Sequence, residues 1–248
     1  FAKLLDGQGE TSVDLTWKRK DGKQKSARFE RRWQQRELGV RVRRELGEYA
    51  VIEIDAFTKP IAIAFARSLK QKLAGARGLI VDLRTNGGGD AEAMSDIAST
   101  FLGVGSSLGQ FTDRAGTSFT LSTHFRSLLS PELITQTKLP LIVLTSERTA
   151  SAAEIFVAAL RLSRRATIIG TETCGCVLAV RTRHLLPDGG LLDVSELDYE
   201  TSQGQRLEGH GLKPDETVST ERSDLYSGRD RAMDLALNEL GRLTVALH

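Results

Sequence analysis

A run of three glycines after an apolar segment is the first place where the sequence could carry chemistry. Gly87, Gly88 and Gly89 follow residues 78–83, which read Gly-Leu-Ile-Val-Asp-Leu. Glycine adopts positive φ and lets backbone amides approach a ligand closely, so such a run can bind a phosphate or an oxyanion. A tight turn without a ligand explains the same residues equally well. The run has neither the spacing of a dinucleotide-binding fingerprint nor a Walker lysine.

A serine at a predicted helix start is the second such place. Residues 145–155 (Thr-Ser-Glu-Arg-Thr-Ala-Ser-Ala-Ala-Glu-Ile) pass from an apolar strand to a helix that begins at or beside Ser151. The simplest interpretation is an N-cap serine, with Glu154 as its capping-box partner. The same position places a hydroxyl among unpaired amides at the positive end of a helix, which suits a nucleophile whose product is an oxyanion. Both interpretations stay open on these residues alone.

Alternating strands and helices are expected to position these two junctions. Short apolar runs predict strands at residues 49–54, 78–83, 139–145 and 166–169. Apolar residues at helical spacing predict helices at residues 61–73, 90–101, 150–162 and 232–240. Residues 177–186 and 191–197 flank a Pro-Asp-Gly-Gly turn and predict a hairpin. This order is typical of an α/β domain, in which sites form where strands end and helices begin.

The beginning of the chain has the pattern of a small β-module. Alternating apolar residues at 13–17 and 27–29 flank an Asp21-Gly22 turn and predict a two-stranded hairpin. Because two strands alone are marginally stable, we interpret the hairpin as the end of a module that begins before Phe1. We place this module and its linker at residues 1–36 and the main domain at residues 37–248.

Composition narrows the class of protein. The chain has 248 residues, 40% apolar and 27% charged, which is typical of a globular domain with its own core. Its longest apolar runs are too short to cross a bilayer, so no transmembrane segment is expected. Cys174 and Cys176 are one residue apart, a spacing that we expect not to form a disulfide and that excludes a four-cysteine zinc site. No metal-ligand spacing is present, and no metal or cofactor is expected.

Positive charge is concentrated near the beginning of the chain. Residues 18–44 hold twelve lysine or arginine residues against three acidic ones, although the net charge of the whole chain is only +2. A patch for nucleic acid or an acidic membrane is one interpretation. The favoured one is the solvated face of a hairpin, because the stretch has a strand pattern, and no nucleic-acid partner is expected.

Five segments in one order resemble the carboxyl-terminal-processing (tail-specific) serine peptidase family, which includes the tricorn core. They are residues 77–89, 141–155, 165–176, 186–190 and 208–215. The resemblance implies a crotonase-like (ClpP/crotonase) α/β core, often preceded by a PDZ module that captures substrate C-termini. The hairpin at the beginning of the chain is similar to the last strands of such a module. The family also implies a peptide or protein substrate and a periplasmic or secreted location.

The resemblance assigns roles to residues at both junctions. Ser151 becomes the nucleophile, and the amide of Ala152 with one from Gly88 or Gly89 becomes the oxyanion hole. Glu154 matches an acidic residue that the family carries near its serine. We therefore expect the two junctions to meet in the folded chain.

The general base departs from the family pattern. The processing proteases have a lysine 25 residues after the serine, where this chain has Cys176, and Val180 replaces a family glutamine. A thiolate could accept the proton but is a weaker candidate than a neutral lysine. The tricorn-like branch instead uses a histidine from upstream of the core and a downstream glutamate, which Glu208 matches. A base other than lysine is therefore expected.

Histidine is the usual base for a serine nucleophile because its pKa lies near neutral pH. The four histidines of the chain are His124, His184, His210 and His248. We interpret each of them as a surface or structural residue rather than a catalytic one.

Three functions are compatible with this pattern. The favoured one is a serine endopeptidase that works through a Ser151 acyl-enzyme. The second is a catalytically inactive relative that binds peptides or another ligand. The third is a crotonase-like enzyme that acts on a thioester with the same oxyanion geometry, although no adenine- or phosphate-binding feature supports it.

Overall fold

The computed structural model describes residues 8–32, 38–123 and 137–245. The strands are β1 (Ser12–Lys18), β2 (Gln24–Glu30), β3 (Val40–Glu45), β4 (Tyr49–Ile54), β5 (Gly78–Asp82), β6 (Ser107–Asp113), β7 (Ser118–Ser122), β8 (Leu141–Thr145), β9 (Thr167–Gly170), β10 (Ala179–Leu185), β11 (Leu191–Glu200) and β12 (Glu216–Thr217). The helices are α1 (Lys59–Lys72), α2 (Ala91–Leu102), α3 (Ala152–Leu162), α4 (Arg222–Ser227) and α5 (Arg231–Val245).

The chain divides into two compact units. The smaller unit consists of Phe1–Glu37 and Arg222–Arg229, and the larger of Leu38–Glu221 and Asp230–His248. In the smaller unit, β1 and β2 form the predicted antiparallel hairpin, with Val13 opposite Phe29. Gly22 adopts φ 81° in the turn, a conformation that glycine reaches without a steric cost. Of the linker proposed at residues 33–38, residues 33–37 lie outside the described residues.

A six-stranded sheet forms the centre of the larger unit. Its strand order is β12-β9-β8-β5-β4-β3, and all neighbours are parallel except the antiparallel pair β3 and β4. Successive side chains of β4 point to opposite faces, so Ala50, Ile52 and Ile54 belong to one buried cluster and Tyr49 and Val51 to another. Burial on both faces explains why the central strands read as continuous apolar runs.

Helices cover both faces of this sheet. Buried residues of α1, α2 and α3 belong to the cluster that holds Ile52, including Phe65, Met94 and Phe156. Helix α5 contributes Leu240 and its neighbours to the cluster on the other face. A second, antiparallel sheet has the strand order β10-β11-β6-β7. The α/β class predicted from the sequence is confirmed.

The basic stretch is not one hairpin face, which corrects the sequence interpretation. Part of it lies in β2, but Arg41, Arg43 and Arg44 lie in β3, in the main sheet of the other unit. Arg41 binds Asp55 through both guanidinium ends, at 2.6 and 2.9 Å. Arg43 forms ion pairs with Glu45 and Glu53. Charges that alternate with valines along an edge strand therefore pair with acidic residues nearby.

Candidate active site

Three neighbouring strands end at one edge of the main sheet, and the two predicted junctions lie there. Strands β5, β8 and β9 are parallel neighbours, so their carboxyl ends meet. The glycine run follows β5, Ser151 follows β8, and the loop that contains Cys174 and Cys176 follows β9. The sheet topology thus brings together segments that are up to about 90 residues apart in the sequence.

The glycine run packs directly against the serine. A methyl group added at Gly88 would lie 2.7 Å from the Cβ of Ser151 and 2.7 Å from the carbonyl oxygen of Ala150. Gly88 also has φ 97°, which side chains rarely adopt. The amide of Ala150 donates to the carbonyl oxygen of Asn86 at 3.1 Å. The predicted meeting of the two junctions is therefore present, and only glycine fits at the contact.

Two backbone amides near the serine are not engaged elsewhere. Among the described residues, the recorded hydrogen bonds include none donated by the amides of Gly89 or Ala152. The amide of Gly88, by contrast, donates to Asn86 Oδ1 at 2.8 Å. Asn86 is fully buried, and its Nδ2 donates to the carbonyl oxygen of Ile54 at 3.1 Å. This arrangement favours Gly89 over Gly88 as an anion donor.

Ser151 has an unusual backbone. Its φ is 56° and its ψ is −126°, a combination that costs a non-glycine residue free energy. It is the N-cap of α3, and its side chain is partly exposed. Ser151 and Glu154 form a capping box, in which Glu154 Oε2 accepts the amide of Ser151 at 3.0 Å. The amide of Glu154 donates to the carbonyl oxygen of Ser151 at 2.8 Å.

Glu154 is fully buried and joins the start of α3 to the loop that contains the cysteines. Its Oε2 accepts the amides of Ser151 at 3.0 Å and Cys176 at 2.9 Å. Its Oε1 accepts the hydroxyl of Thr173 at 2.6 Å and the amide of Gly175 at 2.7 Å. Four donors satisfy this buried carboxylate, as burial of a charge requires. Glu154 thereby fixes the position of the cysteine loop relative to the serine.

Cys174 and Cys176 form a disulfide, so the expectation that their spacing prevents one was wrong. Gly175 lies between them with φ 71°, and this bend brings the two Cα atoms to 5.3 Å, within the range of ordinary bridges. Both cysteines are exposed. In this state Cys176 has no thiol, so it cannot accept a proton from the serine.

Glu208 supports the chain that follows the disulfide. Its Oε2 accepts the amides of Val177 at 2.8 Å and Leu178 at 3.1 Å. The turn after it also contacts the cysteine loop, because the amide of Gly209 donates to the carbonyl oxygen of Gly175 at 2.8 Å. Glu208 thus lies beside the cysteine loop, and its contacts are with backbone amides.

The histidines lie in different surroundings. His210 is exposed in the turn after Glu208. His184 lies on β10, with its Nε2 3.6 Å from Glu196 Oε1. His124 and His248 lie outside the described residues.

Sequence reasoning missed two residues that organise the site. Asn86 orients the glycine run by accepting the amide of Gly88. The hydroxyl of Thr173 donates to Glu154 and accepts the amide of Leu212 at 2.7 Å, so it links these two residues. Their position in the sequence beside the two motifs is the signal that could have identified them.

No group of three or more histidine, cysteine or carboxylate residues within the described ranges could hold a metal ion. None of the helices described is both long and apolar enough to cross a membrane.

Comparison with known proteins identifies relatives that are named as proteases. Over 144 residues the chain is 36% identical to a carboxyl-terminal-processing protease of Synechocystis sp., covering 58% of this chain and 31% of that protein. It therefore spans about a third of the length of this relative. The photosystem II D1 C-terminal processing protease has a similar structure, with a TM-score of 0.62 and 25% identity over 86% of this chain and 57% of that one.

The tricorn protease shares the fold at lower identity. Its TM-score is 0.62 and its identity 20%, over 95% of this chain and 23% of the tricorn chain. Residues 48–218 match the family described as Peptidase family S41, and this range includes Gly88, Ser151, Cys176 and Glu208. The chain therefore belongs to peptidase family S41.

Proposed function

We propose that this protein is a serine endopeptidase of the carboxyl-terminal-processing or tricorn-core type, which cleaves peptide bonds through an acyl-enzyme on Ser151. One observation carries the proposal. A partly exposed serine with a strained backbone lies against a glycine run, beside two amides that are not engaged elsewhere. This is the arrangement that acyl transfer needs, because the nucleophile and the oxyanion donors must face one reacting carbon.

The chemistry follows from these positions. The Oγ of Ser151 attacks the scissile carbonyl and its proton passes to a base, while the carbonyl oxygen becomes an oxyanion between the amides of Gly89 and Ala152. The intermediate then collapses, the C–N bond breaks, and the amine leaves with a proton. Water then attacks the ester carbonyl while the base takes its proton, and the Oγ of Ser151 leaves and regains a proton. Loss of one oxyanion donor reduces kcat by about 100- to 1000-fold in serine peptidases, so these amides matter as much as the base.

Glu154 is proposed to position groups rather than to transfer protons. Each of its oxygens already accepts two donors from the chain itself. Glu208 is proposed to support the segment after Cys176 through the amides of Val177 and Leu178. The base is proposed to be a group other than lysine, because Cys176 occupies the position where the processing proteases have theirs.

The remaining features are proposed from the family. Residues 37–248 are proposed to be a crotonase-like core domain, and residues 1–36 the end of a PDZ-like module with its linker. The substrate is proposed to be a peptide or protein recognised by its C-terminus. A periplasmic or secreted location is proposed because bacterial members of the family are mostly exported.

Peptide hydrolysis tests this function directly. Purified protein, assayed with and without a dithiol, is incubated with an unstructured peptide that ends in a free carboxylate, and cleavage is followed by mass spectrometry. We expect cleavage in at least one of the two conditions and none with Ser151→Ala. Ser202→Ala, at an exposed serine, is the matched control and should cleave like the wild type. Equal cleavage by Ser151→Ala would refute the proposal, as would no cleavage by the wild type under either condition.

A further inference from the structure

A disulfide lies beside the proposed nucleophile. The amides of Ser151 and Cys176 converge on the same oxygen of Glu154, at 3.0 and 2.9 Å, so the two residues are neighbours across one carboxylate. Cys176 is bonded to Cys174, and both side chains are exposed. A reductant from solution can therefore reach the bond.

The loop does not need the disulfide to keep its shape. The amide of Cys174 donates to the carbonyl oxygen of Thr149 at 2.9 Å, and those of Gly175 and Cys176 donate to Glu154. On the other side, the carbonyl oxygen of Gly175 accepts the amide of Gly209 at 2.8 Å. These bonds anchor the backbone at each position of the loop. Opening the sulfur–sulfur bond would thus change the side chains and leave the backbone in place.

The disulfide also contributes little as a cross-link. A bridge stabilises a protein mainly by restricting the unfolded chain, and this effect grows with the length of the closed loop. Here the sequence separation is only 2, so the unfolded chain loses little freedom. An exposed bridge that is not required for the fold suits a chemical role better than a structural one.

We propose that Cys174–Cys176 is a redox-active disulfide that controls the peptidase, and that its reduction frees Cys176 to accept the proton of Ser151. The inference rests on the proposed function, since it names the base for the same nucleophile. The reductant is a dithiol, small or carried by a protein. The oxidised form has no proton acceptor at position 176, and the reduced form has one.

The two steps balance in atoms and electrons. One thiolate of the dithiol attacks a sulfur of the bridge, and its second thiol resolves the mixed disulfide. Two electrons and two protons thus pass to Cys174 and Cys176, and the dithiol becomes a disulfide. In catalysis the Cys176 thiolate takes the proton of Ser151 as Oγ bonds to the carbonyl carbon, and the resulting thiol returns a proton to the leaving amine.

Several groups influence ionisation of the freed thiol. The carboxylates of Glu154 and Glu208 lie near and oppose a thiolate, whereas the amino-terminal end of α3 favours one. His210 lies in the adjoining turn and is the alternative proton acceptor. A free thiol ionises near pH 8.5 and an imidazole near pH 6.5, so the pH dependence of Ser151 reactivity distinguishes the two acceptors.

Fluorophosphonate labelling of Ser151 tests the proposal. The rate of labelling is measured for wild-type protein before and after treatment with dithiothreitol, without denaturant, and thiols are counted by alkylation. We expect no reactive thiol before treatment and two afterwards, with a rise in labelling rate of about 100-fold, the usual contribution of a general base. Equal rates in the two states would overturn the inference, as would thiols that appear only after denaturation.

Two single variants separate the base from the bridge. Cys174→Ser cannot form the bridge and should label at the fast rate with or without dithiol, with a midpoint above neutral pH. Cys176→Ser should label at the slow rate in both conditions. A slow Cys174→Ser variant, a fast Cys176→Ser variant or a midpoint near pH 6.5 would each contradict the proposal. If labelling rates contradict the redox proposal but the adduct still forms on Ser151, the proposed peptidase function stands. If no adduct forms on Ser151, both the redox proposal and the peptidase function are refuted.

Discussion

Around Ser151, the half of the site that would stabilise an oxyanion is buried backbone, whereas the half that would transfer the proton is exposed side chain. Gly88 and Gly89 are held by close packing against Ala150 and Phe57, and no larger residue fits. Cys176, on the other side, is exposed and bonded to Cys174. A backbone site depends on many contacts at once, so it tolerates little change. The proposed proton acceptor is one side chain, so a single substitution there is expected to alter the chemistry without altering the fold.

The largest effect is expected in the backbone half, from Gly89→Ala. The added methyl group would overlap the carbonyl oxygen of Phe57, and the residue would have to keep φ 134°. We expect a loss of about 3 kcal/mol in the free energy of unfolding, measured by urea denaturation. Gly87→Ala is the control, because a methyl group there meets nothing within 4 Å. A Gly89→Ala variant as stable as this control would show that the packing is not tight.

A smaller loss in the free energy of unfolding is expected from Glu154→Gln, because Glu154 connects the start of α3 to the cysteine loop. Glutamine has one acceptor oxygen instead of two, so two of the four donors would face an NH2 group. We expect a destabilisation of about 2–3 kcal/mol, the cost of leaving buried donors unpaired, together with slower labelling of Ser151. The exposed Glu172 provides the matched control, and Glu172→Gln should unfold like the wild type. Equal midpoints for the two variants would mean that Glu154 does not hold the site together.

Thr173→Val tests one of the four hydrogen bonds that Glu154 accepts. The hydroxyl of Thr173 donates to Glu154 and accepts the amide of Leu212. Valine keeps the shape but removes both bonds, so we expect a loss of about 1–2 kcal/mol in a thermal or urea unfolding experiment. Thr173→Ser restores the hydroxyl and should recover most of this stability. If serine and valine behave alike, the hydroxyl contributes nothing.

The smallest effect is expected in the exposed half, from Glu208→Gln. Its amide oxygen can still accept from Val177 and Leu178, so stability should change by less than about 0.5 kcal/mol and labelling by less than about twofold. Glu208→Ala removes the acceptor and should cost about 1 kcal/mol. A large loss of labelling in Glu208→Gln with unchanged stability would instead assign the charge of Glu208 a direct part in catalysis, as in the tricorn-like arrangement.

Periodicity in the sequence predicted the elements that are buried on both faces. The central strands β4, β5, β8 and β9, and the helices α1, α2 and α3 that follow the first three of them, are where apolar spacing places them. Strands β3, β6 and β7 were not predicted. Charged residues in β3 and polar residues in β6 and β7 hide the strand pattern, because only a few positions of each strand pack against the core.

The candidate site was predictable where it depends on local motifs and not where it depends on tertiary contacts. The resemblance to the family implied the meeting of Ser151 with the glycine run, and the ends of two neighbouring strands at one sheet edge bring them together. The roles of Asn86 and Thr173 depend on bonds to Gly88 and Glu154, which no local spacing reveals. The disulfide was missed because only the bend at Gly175 makes it geometrically accessible.

The central claim is that Ser151 is the nucleophile beside a preformed backbone site. The most direct test is to react the dithiol-treated protein with a fluorophosphonate and to map the adduct by tandem mass spectrometry of its peptides. We predict a single adduct on Ser151 that is lost in Ser151→Ala. An adduct on another serine, such as Ser146 five residues earlier, or a protein that forms none, would contradict the account.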